Sequence, residues 1–494
     1  MGKLTTKFHS ASTFYHRFLT LVRPTRLSSL ATQNEMSPTL GPDLAPSPSL
    51  APYNRPVLSS NRSSTSSLHS GSDNVTGSSP AYSTSSVSIP FDDGDVDVVK
   101  VEGLRHSNVR LEARRFKTAP FMGQLLDILR TIRAPSWTNP AITADAVSIQ
   151  KVSGSMTNAV FFVSCPSVPS TSILLLRIYG PSSGSLISRP RELQTLHVLS
   201  SRYRIGPRVY GTFENGRVEE YFDATTLTAA DLRDEKVSAW IGARMAELHG
   251  VDIKAVEPTV SEDIDWMIAV TRNIQSWLGY AREVLALPTA PDAVSRGLDL
   301  DLFAQEWERY MDWVRGQERH DGVSRRVFAH NDTQYGNLLR LKSLRPGMPE
   351  HRQIIVVDFE YAALNPAALD IANHFHEWTA NYHDDAPHVL RPALYPSPEQ
   401  RRNFYSSYLR HLAPGVSSAN SHMDLDQEMA KLEREVQAWS PASHAMWTVW
   451  GIVQAREIVE GKDKDPEFDY LGYAQCRMDS FRREIRALGI GCTP

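Results

Sequence analysis

The sequence predicts an α+β protein with an N-terminal antiparallel sheet lobe and a larger, mainly helical C-terminal lobe. Three observations carry the prediction. Period-two alternation of apolar residues, broken by Ser, Gly and Pro, runs through residues 147–222. Apolar stripes at helical spacing follow beyond Thr225. A short strand-rich interlude, Val327 to Leu341 and Gln353 to Val357, interrupts those helices. An antiparallel sheet with one helix is the natural assembly of the front pieces.

The 494 residues are too many for one ordinary domain, and the front of the chain differs from the rest. The first 90 residues hold seven Lys/Arg against three Asp/Glu, a net +4, which leaves −8 on the remaining 404. Residues 1–35 are basic, with Lys3, Lys7, Arg17, Arg23 and Arg26 ahead of the first acid, Glu35. Such a segment reads first as a basic tail; import into mitochondria is a second reading. The myristoylation-like Met1-Gly2 with Thr6 is a third. Residues 36–95 are rich in Ser, Pro and Thr and bury too little apolar area to offset the entropy of ordering, so a disordered linker is expected. Residues 96–222 form the expected sheet lobe and residues 223–494 the helical lobe.

Folding is expected to begin near Met122. Met122, Leu125, Leu126, Leu129 and Ile132 share one helix face ending before Pro135. Strands follow at Val147 to Val152, Ala159 to Ser164 and Ile173 to Tyr179, then a helix at Glu192 to Leu199. Two more strands run from Arg208 to Phe213 and Arg217 to Phe222. In the helical half, Val237, Trp240, Ile241, Met245 and Leu248 form a stripe that stops at Gly250, a suitable C′ residue. Helices are expected over Trp266 to Leu287 and Leu302 to Val314, and Ser440-Pro441 can open another as N-cap and N1. No apolar run approaches the ~20 residues that span a bilayer. Three scattered cysteines suggest neither a disulfide framework nor a zinc site, and a net charge of −4 gives no nucleic-acid footprint.

The chemistry-bearing motifs lie in the interlude. His330-Asn331-Asp332 through Asn337 has the frame H-x-D-x(4)-N, in which an aspartate can accept a hydroxyl proton and an asparagine can offer its carbonyl to Mg²⁺. Asp358-Phe359-Glu360 ends the apolar strand Ile354 to Val357, where a carboxylate can hold a metal bridging phosphates. Upstream, Ser153-Gly154-Ser155-Met156-Thr157-Asn158 is either a hairpin turn or a phosphate-covering loop. Arg177 stands alone in an apolar strand, as a snorkelling edge residue or as the partner of Glu192. Trp447 and Trp450 share a helix face and suit either a core or a cage for a quaternary ammonium. His374, His376 and His383 are not expected to bind metal, since the first two point apart on a helix, and Asp370 is expected to cap its helix.

Together these residues resemble the choline/ethanolamine kinase family, fungal choline kinases above all. The matching segments are Lys151 to Phe161, Leu174 to Pro181, Phe328 to Leu339, Val357 to Trp378, Trp447 to Ala455 and Phe468 to Gln475, in family order. The resemblance implies a two-lobed protein-kinase-like fold and ATP-dependent phosphorylation of choline to phosphocholine, the entry to phosphatidylcholine synthesis, with ethanolamine secondary. It further implies that Asp332 is the catalytic base, that Asn337 and Asp358 hold Mg²⁺ and that Glu360 supports that site. Arg177 would contact the nucleotide phosphates under the Ser153 to Asn158 loop, and Glu220, Tyr221 and Phe222 would form the adenine hinge. Gln334, Glu377, Tyr382, Trp447, Trp450 and Tyr473 would meet the acceptor beside Asp332. A cytoplasmic enzyme, with homodimers common in the family, is the corresponding expectation. An ethanolamine-preferring kinase and an aminoglycoside-type phosphotransferase stay open as alternatives.

Overall fold

The computed structural model describes residues 103–154, 158–179, 189–257, 268–291, 296–412, 422–462, 466 and 468–491. The basic segment 1–35, the linker 36–95 and Ser155 to Thr157 lie outside the described residues.

The sheet lobe starts from helix α1 (Ala119–Thr131), where Thr118 Oγ1 accepts the Phe121 N–H and Pro120 sits in the first turn. Its buried face, Leu125, Leu126 and Leu129, packs with Trp137, Phe161, Leu174, Leu176 and Val218. The sheet has six strands, β1 (His106–Ser107), β2 (Ser148–Gly154), β3 (Asn158–Ser164), β4 (Leu174–Tyr179), β5 (Val209–Phe213) and β6 (Gly216–Glu220). They pair in the order β1-β5-β6-β4-β3-β2, antiparallel except for β1 with β5. Helix α2 (Arg189–Val198) continues into a π-turn over Leu199–Tyr203 that closes on left-handed Arg204.

The chain leaves this sheet at Glu220 and enters a second one at β7 (Ala224–Thr226), which pairs with β9 (Leu338–Leu341) and through it β10 (Ile354–Val356). Between lie α3 (Glu235–His249), capped by Asp234, α4 (Ala269–Leu285) and α5 (Leu300–Asp321). Gly250 does close α3, but at φ −88° rather than in a left-handed turn. A two-stranded pair that the sequence pattern did not suggest joins β8 (Arg326–Ala329) to β11 (Ala363–Pro366). Helices α6 (Ala367–Glu377), α7 (Pro398–Leu412), α8 (His422–Gln454) and α9 (Tyr470–Ala487) complete the lobe.

One expected boundary is overturned. Ser440-Pro441 does not open a helix but lies inside α8, which runs for 33 residues. Proline removes an N–H and crowds the preceding turn. The helix runs on through it, with tertiary bonds to the preceding turn: the Tyr310 hydroxyl donates to the Ala438 carbonyl at 2.8 Å, and Ser440 Oγ donates to Glu484 Oε2 at 2.9 Å. Among the described residues, no helix is long and apolar enough to cross a membrane.

Candidate active site

The H-x-D loop leaves β8 and is held from beneath by Asp370. Asp370 Oδ2 accepts the His330 N–H and a hydrogen bond from His249 Nε2, both at 2.9 Å, and Oδ1 accepts the Asn331 N–H at 2.8 Å. Burial raises this carboxyl, but the His249 bond and charge outweigh it, and its pKa falls below the ordinary value. Asp370 therefore does not cap its own helix, whose N-cap is Pro366; it anchors the loop. His330 donates from Nε2 to the Val357 carbonyl at 3.0 Å, tying the loop to the strand end that carries Asp358. Asn331 and Asp358 both adopt left-handed backbone, φ 64° and 66°, a conformation that short polar residues tolerate best and that clusters at working sites.

These ties bring the carboxylates together. Asn337 Nδ2 donates to Asp332 Oδ2 at 2.8 Å and to the Asp332 carbonyl at 2.9 Å, so its own Oδ1 remains as an acceptor. Burial, then Glu377 and Asp358, push the Asp332 carboxyl well above its usual range. Burial raises Asp358 to about 6, against the opposing pull of Arg177. Glu360 also rises well above normal, through burial and then Asp358. Crowded carboxylates of this kind bind protons when no cation balances them.

On the sheet side, Arg177 of β4 lies opposite Arg217 of β6. Arg177 Nε is 3.5 Å from Glu219 Oε1, while Arg217 reaches Glu192 at 2.8 Å, Tyr179 Oη at 3.1 Å and Glu219. The expected Arg177–Glu192 couple is thus a four-membered lattice in which Arg217 grips Glu192. Burial disfavours the Arg177 cation, but Glu219 and then Glu192 overcome this, and its pKa is raised. The lattice and Asp358 line a narrow cleft together with Leu196, Pro207 and Phe359. Arg217 and Glu219 escaped the sequence reading; the alternating charges of Arg217-Val218-Glu219 in a strand were the available signal. Tyr221 packs edge-on against Phe162 at 4.8 Å, Phe222 covers Ala224, Leu339 and Val357, and Glu220 Oε2 accepts the Arg208 N–H. Ser153, Gly154 and Asn158 fall in the facing ends of β2 and β3.

The aromatic cluster meets the site from α8 and α9. Trp447 and Trp450 stand edge to face at 5.1 Å, Trp450 and Tyr473 at 6.0 Å, and Phe468 links Tyr473 (5.6 Å) to Tyr382 (6.4 Å). Tyr382 Oη donates to Glu377 Oε2 at 2.7 Å. Tyr361, which the motifs did not flag, accepts from Trp450 Nε1 at 2.8 Å and packs on Trp447, and its position just after Glu360 was the clue. Gln334 is placed otherwise than expected: its Oε1 accepts the Gly336 N–H at 3.0 Å, which shapes the turn before Asn337. His374 uses both ring nitrogens, donating to the Thr333 carbonyl and accepting from Trp378 Nε1.

A family model described as choline/ethanolamine kinase matches residues 149–482. The chain belongs to this family. It is 32% identical to a choline kinase of Schizosaccharomyces pombe over 419 residues, 75% of this chain and 90% of that protein. A choline kinase of Saccharomyces cerevisiae is 33% identical over 387 residues, 68% of this chain and 63% of its own length. Among solved structures, a choline kinase from Cryptosporidium parvum superposes with a TM-score of 0.57 at 24% identity, over 74% of this chain and 96% of the other, a likeness of fold. The architecture is the two-lobed, protein-kinase-like one, and the chain is a kinase for which ATP is the co-substrate implied by the family.

Proposed function

We propose that this kinase transfers the γ-phosphoryl group of ATP to the hydroxyl of choline, giving phosphocholine and ADP, with ethanolamine as a secondary acceptor. One observation carries the reading: a cluster of aromatic rings, Trp447, Trp450, Tyr473 and Tyr382, with the Glu377 carboxylate bonded to Tyr382, lies near Asp332 and its partner Asn337. Ring faces hold a trimethylammonium by cation–π attraction, roughly 2 kcal/mol or more when desolvated. Asp332 takes the hydroxyl proton as the oxygen attacks the γ-phosphorus in line. Asn337 holds that carboxylate in one orientation. Arg177, kept charged by Glu219, faces the phosphates, and residues 220–222 meet adenine through backbone groups.

The crowded oxygen donors fit Mg²⁺. Asn337 and Asp358 would hold the ion with Glu360 in support, and it would neutralise charge on the transferred group. We assign residues 96–222 and 223–494 to the two lobes and place the enzyme in the cytoplasm. Tagged full-length protein and a version starting near residue 95 should then give the same cytosolic signal, and a mitochondrial signal from the full chain alone would favour import. The substrate test is a steady-state competition. Choline is expected to show the higher kcat/KM; a higher value for ethanolamine reassigns the enzyme as an ethanolamine kinase. Turnover of aminoglycosides but of neither amino alcohol removes both readings.

A further inference from the structure

Behind Glu377 lies a cation that the proposed reaction does not use. Arg477 sits one turn beyond Tyr473 on α9, fully buried at 0% exposure. A guanidinium offers only N–H donors, and in the interior each needs an acceptor. Nε donates to Tyr473 Oη at 3.0 Å, Nη2 donates to Glu377 Oε1 at 2.8 Å, and Nη1 faces His444 Nδ1 at 3.4 Å. Its Cζ also lies 5.0 Å from the Tyr473 ring centroid. All three nitrogens are engaged by different elements, so the group has one orientation.

His444 is braced in turn. Because arginine cannot accept, the Nδ1 facing it is the bare nitrogen, and Nε2 carries the proton toward Glu484 Oε1 at 3.4 Å. Ser440 Oγ bridges Glu484 Oε2 and His376 Nε2, each at 2.9 Å. His376, His444 and Glu484 bring ligand-type atoms within 4.8 Å of one another, yet their donor pattern is that of a brace. A metal on His444 Nε2 would move the proton to the nitrogen that faces the guanidinium.

The consequence falls on Glu377. Oε1 takes Arg477, Oε2 takes the Tyr382 hydroxyl, and the charge of the carboxylate is balanced by a fixed cation. A trimethylammonium has no N–H and binds through ring faces, so it loses little from this arrangement. A primary ammonium must also place its N–H groups on acceptor oxygens, and those of Glu377 are already engaged by Arg477 and Tyr382. We propose that Arg477 is a positioning residue that sets acceptor preference, by clamping Glu377 and the Tyr473 ring so that the pocket favours a quaternary over a primary ammonium.

The inference rests on the amino-alcohol kinase reading, and its test separates the two. Wild type, Arg477→Gln, Arg477→Lys and His444→Gln are assayed with choline and with ethanolamine. In Arg477→Gln the ratio of kcat/KM for choline to that for ethanolamine is expected to fall about tenfold, mainly through KM for the acceptor, with KM for ATP unchanged. Arg477→Lys should restore part of the ratio, and His444→Gln should lower it about threefold in the same direction. A merely structural role would depress both substrates alike. A ratio within about twofold of wild type in every folded variant overturns the proposal. If Arg477→Gln fails to fold, His444→Gln decides by itself. Wild type that uses neither amino alcohol sinks the parent reading instead.

Discussion

At the scale of the residue, the site depends on what each carboxylate is made to do by its neighbours. Asp332 sits on the loop that Asp370 of α6 anchors, yet burial and like charge raise the first while a histidine and two loop amides hold the second low. Replacing Asp332 with Asn removes the proton acceptor and keeps the shape. Turnover is expected to fall about 100- to 10,000-fold while ATP binding, read by titration calorimetry, persists. A variant with near wild-type turnover would remove Asp332 from the chemistry. The motif spacing made Asp332, Asn337 and Asp358 legible in the chain. Arg217, Glu219 and Tyr361 left only faint signals, and Arg477 none, because a charged or aromatic residue does not show its partner until distant segments meet.

At the scale of the element, the cleft lined by Leu196, Pro207 and Phe359 is bordered by a tight turn at Gly206. Gly206 has φ 74°, and a Cβ there would lie 2.7 Å from Phe359 Cε2 and 3.2 Å from Leu196 Cδ1. Gly206→Ala should therefore destabilise the enzyme by roughly 1–3 kcal/mol in urea denaturation and raise KM for ATP, since Phe359 neighbours Asp358. Unchanged stability together with unchanged KM would show that the turn accommodates a side chain. The strands and most helices were readable from periodicity, because burial on one face imposes a period of two or 3.6. The α8 boundary was misread for a physical reason: Pro441 is a local stop signal, while the surrounding turns are held by contacts from other helices, such as Tyr310 to the Ala438 carbonyl and Glu484 to Ser440. The β8 segment fell inside the strand-rich interlude, but its partner β11, Ala363–Pro366, runs into a helix and ends in proline, so nothing local showed that the two would pair.

At the scale of the whole molecule, the helical lobe carries ion pairs that make acid stability a readable property. Glu247 of α3 meets His351, Arg352 and Arg244. Burial raises its carboxyl, but the His351 hydrogen bond and the arginine charges prevail and bring it from 4.5 to about 2. A depressed pKa in the folded state stabilises above the unfolded value and is lost as pH falls from 4.5 toward 2. Glu247→Gln should be less stable than wild type at neutral pH and lose less stability between about pH 5 and 3, measured by urea denaturation. Equal slopes would place the acid sensitivity elsewhere. The sequence alone determined the order of lobes, the family, and the H-x-D-x(4)-N and D-x-E frames, because periodicity and motif spacing are local properties of a chain. Tertiary structure alone decided which cation pairs with which carboxylate, how Asp370 anchors the loop and how Arg477 reaches Glu377. Those contacts join residues up to a hundred or more positions apart, and their energies come from shared burial, which no single segment possesses.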